Sequence, residues 1–142
     1  MAEQLSVFVQ NEPGRLAVII RALADEGIDI RALSIADTTD FGVLRLLVSD
    51  VRRAKDVLSG IGCIVRVTGV TVVAVPDEPG GLARVLTLLE NGNVDIEYMY
   101  SLIGRDADKA YMVFRVSDEQ RLHALLMEND IATVSGAALG VR

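Results

Sequence analysis

The chain repeats itself. The run Val7-Phe8-Val9-Gln10-Asn11-Glu12-Pro13-Gly14-Arg15-Leu16-Ala17 returns 66 positions later as Val73-Ala74-Val75-Pro76-Asp77-Glu78-Pro79-Gly80-Gly81-Leu82-Ala83. The offset still holds at Asp29-Ile30 against Asp95-Ile96. It has grown to 68 at Val48-Ser49-Asp50 against Val116-Ser117-Asp118, so the second copy carries two extra residues. Self-similarity on this scale makes a chain a tandem of one supersecondary unit. The 142 residues therefore divide into two expected domains, 1–68 and 69–142, with only Thr68-Gly69 between them. Units this small bury a modest share of their surface. Each is expected to lean on the other or on a second chain.

Within a copy the pattern is regular. Leu5 to Val9 is β-rich and stops at Pro13-Gly14. Leu16, Ile19, Ile20 and Leu23 then recur at helical spacing, and Gly27 ends that helix. Ile28 to Ala36 and Phe41 to Val48 read as strands about an Asp37-Thr38-Thr39-Asp40 turn. Asp50 can N-cap a second helix to Ser59, and Cys63 to Thr68 is a closing strand. The second copy follows suit: a strand over Val70 to Val75, the stripe Leu82, Val85, Leu86, Leu89, and strands over Val94 to Ile103 and Ala110 to Val116. A turn at Gly104-Arg105-Asp106-Ala107-Asp108 separates the last two. A Ser117-x-x-Gln120 capping box then opens a helix to about Asn129. Ile131 to Leu139 is a final strand broken at Gly136. Each copy is βαββαβ, an α+β split-βαβ or ferredoxin-like unit with both helices on one face of an antiparallel sheet. Strands such as Val70 to Val75 are apolar on both faces, so the face without helices is expected to be covered.

Composition narrows the function. The net charge is -6, against the basic footprint of nucleic-acid binders. No apolar run is long enough to span a membrane, and Met1-Ala2-Glu3-Gln4 does not open a signal peptide. A single cysteine, Cys63, fits a reducing cytoplasm. With one cysteine and one histidine there is no metal constellation, and no cofactor motif is present. His123 reads as a solvated residue on a polar helix face.

The duplicated loop is where chemistry is expected. The first-turn N–H groups and dipole of a helix favour an anion. Proline at the start costs no hydrogen bond there, and Gly14, Gly80 and Gly81 allow close backbone approach. A carboxylate fits that place. An ammonium beside it would need acceptors, which Asn11, Asp77, Asp29, Asp95 or strand carbonyls could supply. The plainer alternatives are a strand-to-helix turn for each Pro-Gly and a solvated strand start for Asp29 and Asp95. Tyr98-Met99-Tyr100 stands where the first copy has Ala32-Leu33-Ser34, and alternation puts the two tyrosines opposite Met99.

Asn11-Glu12-Pro13-Gly14-Arg15-Leu16 and Asp77-Glu78-Pro79-Gly80-Gly81-Leu82 resemble the ACT domain family of small amino-acid sensors. Gly27-Ile28-Asp29-Ile30, Asp40 to Val48 and Val94 to Tyr100 support the likeness. It covers both halves almost end to end and is greatest to stand-alone tandem ACT proteins. The resemblance implies two ferredoxin-like units paired side by side into one eight-stranded antiparallel sheet. It also implies free amino-acid ligands where the loop before the first helix of one unit faces the second strand of its neighbour. Carried over, one site would join Asn11 to Leu16 with Val94 to Tyr100, including Asp95, Ile96, Tyr98, Met99 and Tyr100. The other would join Asp77 to Leu82 with Ile28 to Ser34, including Asp29 and Ile30. Arg15 against Gly81, and tyrosines on one strand only, make the two sites unequal, with large side chains favouring the tyrosine-bearing one.

Three functions compete. The first is an allosteric amino-acid-binding regulator, homodimeric or bound to a partner enzyme. The second is a non-catalytic subunit that acts by assembly with an enzyme of amino-acid metabolism. The third is an acylphosphatase-like enzyme using Arg15 and Asn11. The third is weakest, because Gly81 and Asp77 replace those residues in the second copy and no nucleophile–base pair is present.

Overall fold

A computed structural model describes residues 1–10, 12–37, 41–104 and 108–141. Asn11, Thr38 to Asp40 and Arg105 to Ala107 lie outside the described residues, and with them part of the first loop and of both expected hairpin turns. The elements are β1 (Ala2–Gln10), α1 (Arg15–Asp25), β2 (Ile30–Asp37), β3 (Phe41–Val48), α2 (Val51–Gly60), β4 (Val65–Pro76), α3 (Gly81–Asn91), β5 (Ile96–Ser101), β6 (Lys109–Val116), α4 (Glu119–Glu128), β7 (Thr133–Val134) and a 3-10 turn at Ala137–Leu139.

The chain forms two compact units. One comprises Ala2–Gly69 with the tail Gly136–Arg142. The other comprises Val70–Ser135, with Met1. In the first, the strands lie in the order β2-β3-β1-β4, with β1 and β2 both antiparallel to β3. In the second the order is β5-β6-β4-β7, with β4–β6, β5–β6 and β4–β7 antiparallel. Each is the ferredoxin-like order expected from βαββαβ.

The strand count differs from expectation. The described residues hold seven strands, not eight. The expected closing strand of the first copy and opening strand of the second are one twelve-residue strand, β4, which crosses the unit boundary between Gly69 and Val70. With no turn residues between them but Gly69, the chain has no means of reversing. The expected broken strand over Ile131 to Leu139 shortens to Thr133–Val134, and the segment from Gly136 belongs to the first unit.

Helical stripes bury as their spacing requires. Ile19 and Leu23 of α1 and Val51, Ala54 and Leu58 of α2 are buried in the first unit. In the second, Val85, Leu89, Leu122, Leu125 and Leu126 pack with Val73, Val75, Phe114 and Val116. Burying a large aliphatic side chain contributes about 1.5–3 kcal/mol, so these stripes hold the helices to their sheets.

Candidate functional site

The two Pro-Gly loops fold alike, bond for bond. Glu12 N–H donates to the Gln10 carbonyl, Arg15 N–H to Glu12 and Val18 N–H to Gly14. In the second copy Glu78 donates to Pro76, Gly81 to Glu78 and Arg84 to Gly80. Gly14 and Gly80, the N-cap residues of α1 and α3, share a left-handed φ of 86°, and neither helix has a side-chain cap. A left-handed backbone favours glycine, which explains why both copies keep it. A Cβ at either position would meet nothing within 4 Å. The helix starts thus lack a side-chain cap; the Arg15 and Gly81 N–H groups are taken by the Glu12 and Glu78 carbonyls, and the other first-turn N–H groups have no intrahelical acceptor. Glu12, Pro13, Leu16, Asp77, Glu78 and Pro79 are exposed, and Leu82 is half-buried.

Arg15 and Gly81 diverge for a physical reason. Gly81 is buried, and a Cβ there would stand 2.1 Å from the Pro76 carbonyl oxygen. Its bareness lets helix and strand backbone approach closely. Arg15 lies close to Cys63. Burial pushes the Cys63 thiol above its ordinary range, and the Arg15 guanidinium pulls it back in part. The Arg15 Nε is buried without a hydrogen-bond partner among the described residues.

The other expected residues fall elsewhere. Asp29 and Asp95 are exposed and immediately precede β2 and β5, at the end of their own helix opposite to the Pro-Gly loop. An eleven-residue helix separates the two ends by about 16 Å, so neither Asp joins its own unit's loop. The Asp29 carboxylate accepts from Arg31 at 3.1 Å, and its backbone N–H donates to Ser49 Oγ at 2.9 Å. Ile30 and Ile96 are half-buried, and Ile96 packs on the second core. Met99 packs against that helix-covered core as well. Tyr98 and Tyr100 pair with Arg115 and Val113 on the opposite face, where their rings stack with centroids 6.5 Å apart. The tyrosines therefore do not enter the helix-covered core.

Sequence reasoning missed a buried polar contact. Thr71, 1% exposed, donates its hydroxyl to Glu119 at 2.6 Å and lies 3.3 Å from His123 Nε2. His123 is half-buried, not solvated. Its place four residues after Glu119 on α4 is the one signal the sequence held. Among the described residues, no three His, Cys, Asp or Glu side chains gather as a metal site, and no helix is long and apolar enough to cross a membrane.

Residues 1–140 match the family described as "ACT domain pair". Protein BT0572 from Bacteroides thetaiotaomicron, known from its crystal structure, is 37% identical with a TM-score of 0.90. The alignment covers 98% of this chain and 95% of that one. The regulatory subunit of aspartate kinase from Thermus thermophilus, in its ligand-free form, shares the fold at 16% identity and a TM-score of 0.64, covering 91% of each chain. Aspartate kinase from Synechocystis does so at 22% and 0.61, covering 99% of this chain and 26% of that one. No curated protein matches the chain.

Proposed function

The chain belongs to the ACT domain pair family, and on that premise we propose that it is a regulatory protein that binds a free amino acid. The ligand carboxylate is received at the N-terminus of α1, of α3, or of both. The observation that carries this reading is the duplicated helix start without a side-chain cap, with glycine at φ 86° in both copies. A helix N-terminus without a side-chain cap favours a carboxylate. The resemblance puts the rest of each site on the second strand of a neighbouring ACT unit, and that part of the proposal rests on the resemblance alone. Arg15, beside Cys63 with a buried Nε, is poorly placed to cradle a phosphate, which favours a non-catalytic role.

The test uses asparagine. It tolerates the left-handed region and adds a side chain where glycine leaves space. Gly14→Asn and Gly80→Asn should keep the melting temperature within a few degrees, and at least one should weaken the amino-acid ligand found in a thermal-shift screen by about tenfold or more. If calorimetry finds both variants binding that ligand as the parent does, the placement is wrong.

A second reading is assembly, as a homodimer or with an enzyme of amino-acid metabolism in the cytoplasm. β2 ends the strand order of its unit and exposes Leu33 and Ile35, at 40% and 48%. An apolar edge strand is a ready surface for another chain. Light scattering of the parent against Leu33→Lys/Ile35→Lys tests it. An unchanged mass and an unchanged pull-down would exclude this edge.

A further inference from the structure

The repeat builds one cleft twice, and only the second copy leaves it roomy. In the first unit a cleft of about 350 Å³ is lined by eight residues, among them Phe8, Arg15, Phe41 and Ile64. In the second a cleft of about 750 Å³ lies between the first turns of α3, the end of β4 and the segment from α4 to β7. Seven of the first cleft's eight lining residues have repeat counterparts lining the second. Ala74 stands for Phe8, Gly81 for Arg15, Lys109 for Phe41 and Ala132 for Ile64. Large side chains have become small or flexible at all four positions. Phe8, Arg15 and Phe41 narrow the first cleft where the second has Ala74, Gly81 and Lys109.

The chemistry of the second cleft is specific. Pro76, Val85, Leu88, Ile131 and Ala132 give it apolar walls. Thr87 and Asn129 spend their donors on the Ala83 and Leu125 carbonyls. Arg84 is tied to Glu78 at 2.6 Å. Half-buried Lys109 forms no ion pair with the described residues. Asp130, the one acid of the lining, is exposed at a left-handed turn, at φ 55°. The volume falls within the range of about 300–1,000 Å³ typical of small-molecule sites, which are mostly apolar with a few placed polar groups.

We infer that this cleft binds a small carboxylate with an apolar body, the carboxylate on Lys109 and the body against Val85, Leu88 and Ile131. The site lies wholly inside the second unit and needs no neighbouring strand. It does not rest on the amino-acid reading: a ligand here requires no α-ammonium.

The probe is 3-phenylpropionate, with uncharged 3-phenylpropan-1-ol as its control, followed by NMR on the full chain. Saturable shifts are expected at Leu88, Ile131 and Ala132. Two substitutions on different elements fill the cleft: Ala74→Phe, which installs the first copy's residue at a half-buried lining position, and Thr87→Trp, at an exposed helix position. Each folded variant should weaken 3-phenylpropionate by about tenfold or more, since a filled pocket offers no room. Lys109→Gln should weaken it by about tenfold while leaving the alcohol unchanged, the value of one charge-assisted hydrogen bond. No saturable shift at these residues in the parent, or full binding in either filled variant, overturns the site. Loss of charge without effect overturns its anionic end. An amino-acid ligand that still binds the filled variants while 3-phenylpropionate does not leaves the two readings separately decided. A parent that binds only 3-phenylpropionate sinks the amino-acid reading and keeps this one.

Discussion

Glycines in this chain do different work at neighbouring positions, and substitution separates them. Gly81 has no room for a Cβ because the Pro76 carbonyl oxygen would be 2.1 Å away. That neighbour is backbone and cannot swing aside, so Gly81→Ala should cost about 1–3 kcal/mol, the usual range for overpacking. Gly60, at the end of α2, would set its Cβ in open space. Gly60→Ala should therefore stabilise by up to about 1 kcal/mol through helix propensity. Urea denaturation of both variants checks the pair, and equal midpoints would contradict it. Cys63 makes a second prediction at this scale. Its thiol holds its proton more tightly in the folded chain, chiefly through burial. Above the pKa of the unfolded thiol, the folded state binds more protons than the unfolded one. Stability should then fall as pH rises from there towards the folded value. Cys63→Ala removes this contribution, so its stability should decline less over that range than the parent's. Parallel slopes would show that the thiol is not coupled to folding.

At the scale of elements, helix starts come in two kinds. α1 and α3 begin on bare left-handed glycines, whereas α2 and α4 are capped by aspartate: Asp50 accepts from Arg53 N–H at 3.1 Å and Asp118 from Arg121 N–H at 3.0 Å. Losing such a cap typically costs about 1 kcal/mol. Asp50→Ala and Asp118→Ala should each lower stability by about that amount, and Ser117→Ala by less, as read from denaturation midpoints. A larger loss at Ser117 would restore the capping box expected from sequence. This contrast shows what was legible. Asp50 was readable as a cap because a polar residue precedes a helical stripe. Its repeat partner Asp118 caps α4 in place of Ser117, as the alignment of Val48-Ser49-Asp50 with Val116-Ser117-Asp118 implies. The Pro-Gly turns and the opposite facing of Met99 and the two tyrosines were likewise readable, because they depend on local geometry and strand period. The second-unit cleft was not, because its openness depends on residues distant in sequence, and nor was the backbone contact that keeps Gly81 bare.

At the scale of the whole molecule, sequence halves and compact units are not the same thing. The repeat divides the chain near Gly69, yet β4 runs unbroken through that point and the last residues, from Gly136, belong with the first unit. There, a Cβ at Gly136 would come within 3.5 Å of Ala2, and the Leu139 carbonyl accepts from Arg31 Nε at 3.1 Å. Val141 is 5% exposed. No periodicity announces this return, since a single buried valine and a backbone carbonyl leave no pattern to read. The energetic consequence is testable. Burying Val141 is worth about 1.5–3 kcal/mol, and an exposed hydrogen bond such as that from Arg31 to the Leu139 carbonyl adds little beyond it. A chain ending at Ser135 should therefore lose stability by roughly that amount, with the loss confined to the first unit. Hydrogen exchange would show it as faster exchange in β1 and β2, with β5 and β6 unchanged. Val141→Asp should reproduce most of the effect with the tail present, because a carboxylate cannot be buried unpaired at that place. Residues 1–68 alone lack both this tail and the end of β4. They should give an aggregate, a homodimer or a partly unfolded chain in sizing and circular dichroism. A stable monomer of that fragment, unfolding cooperatively, would show that the first unit needs neither its returning tail nor the rest of its last strand.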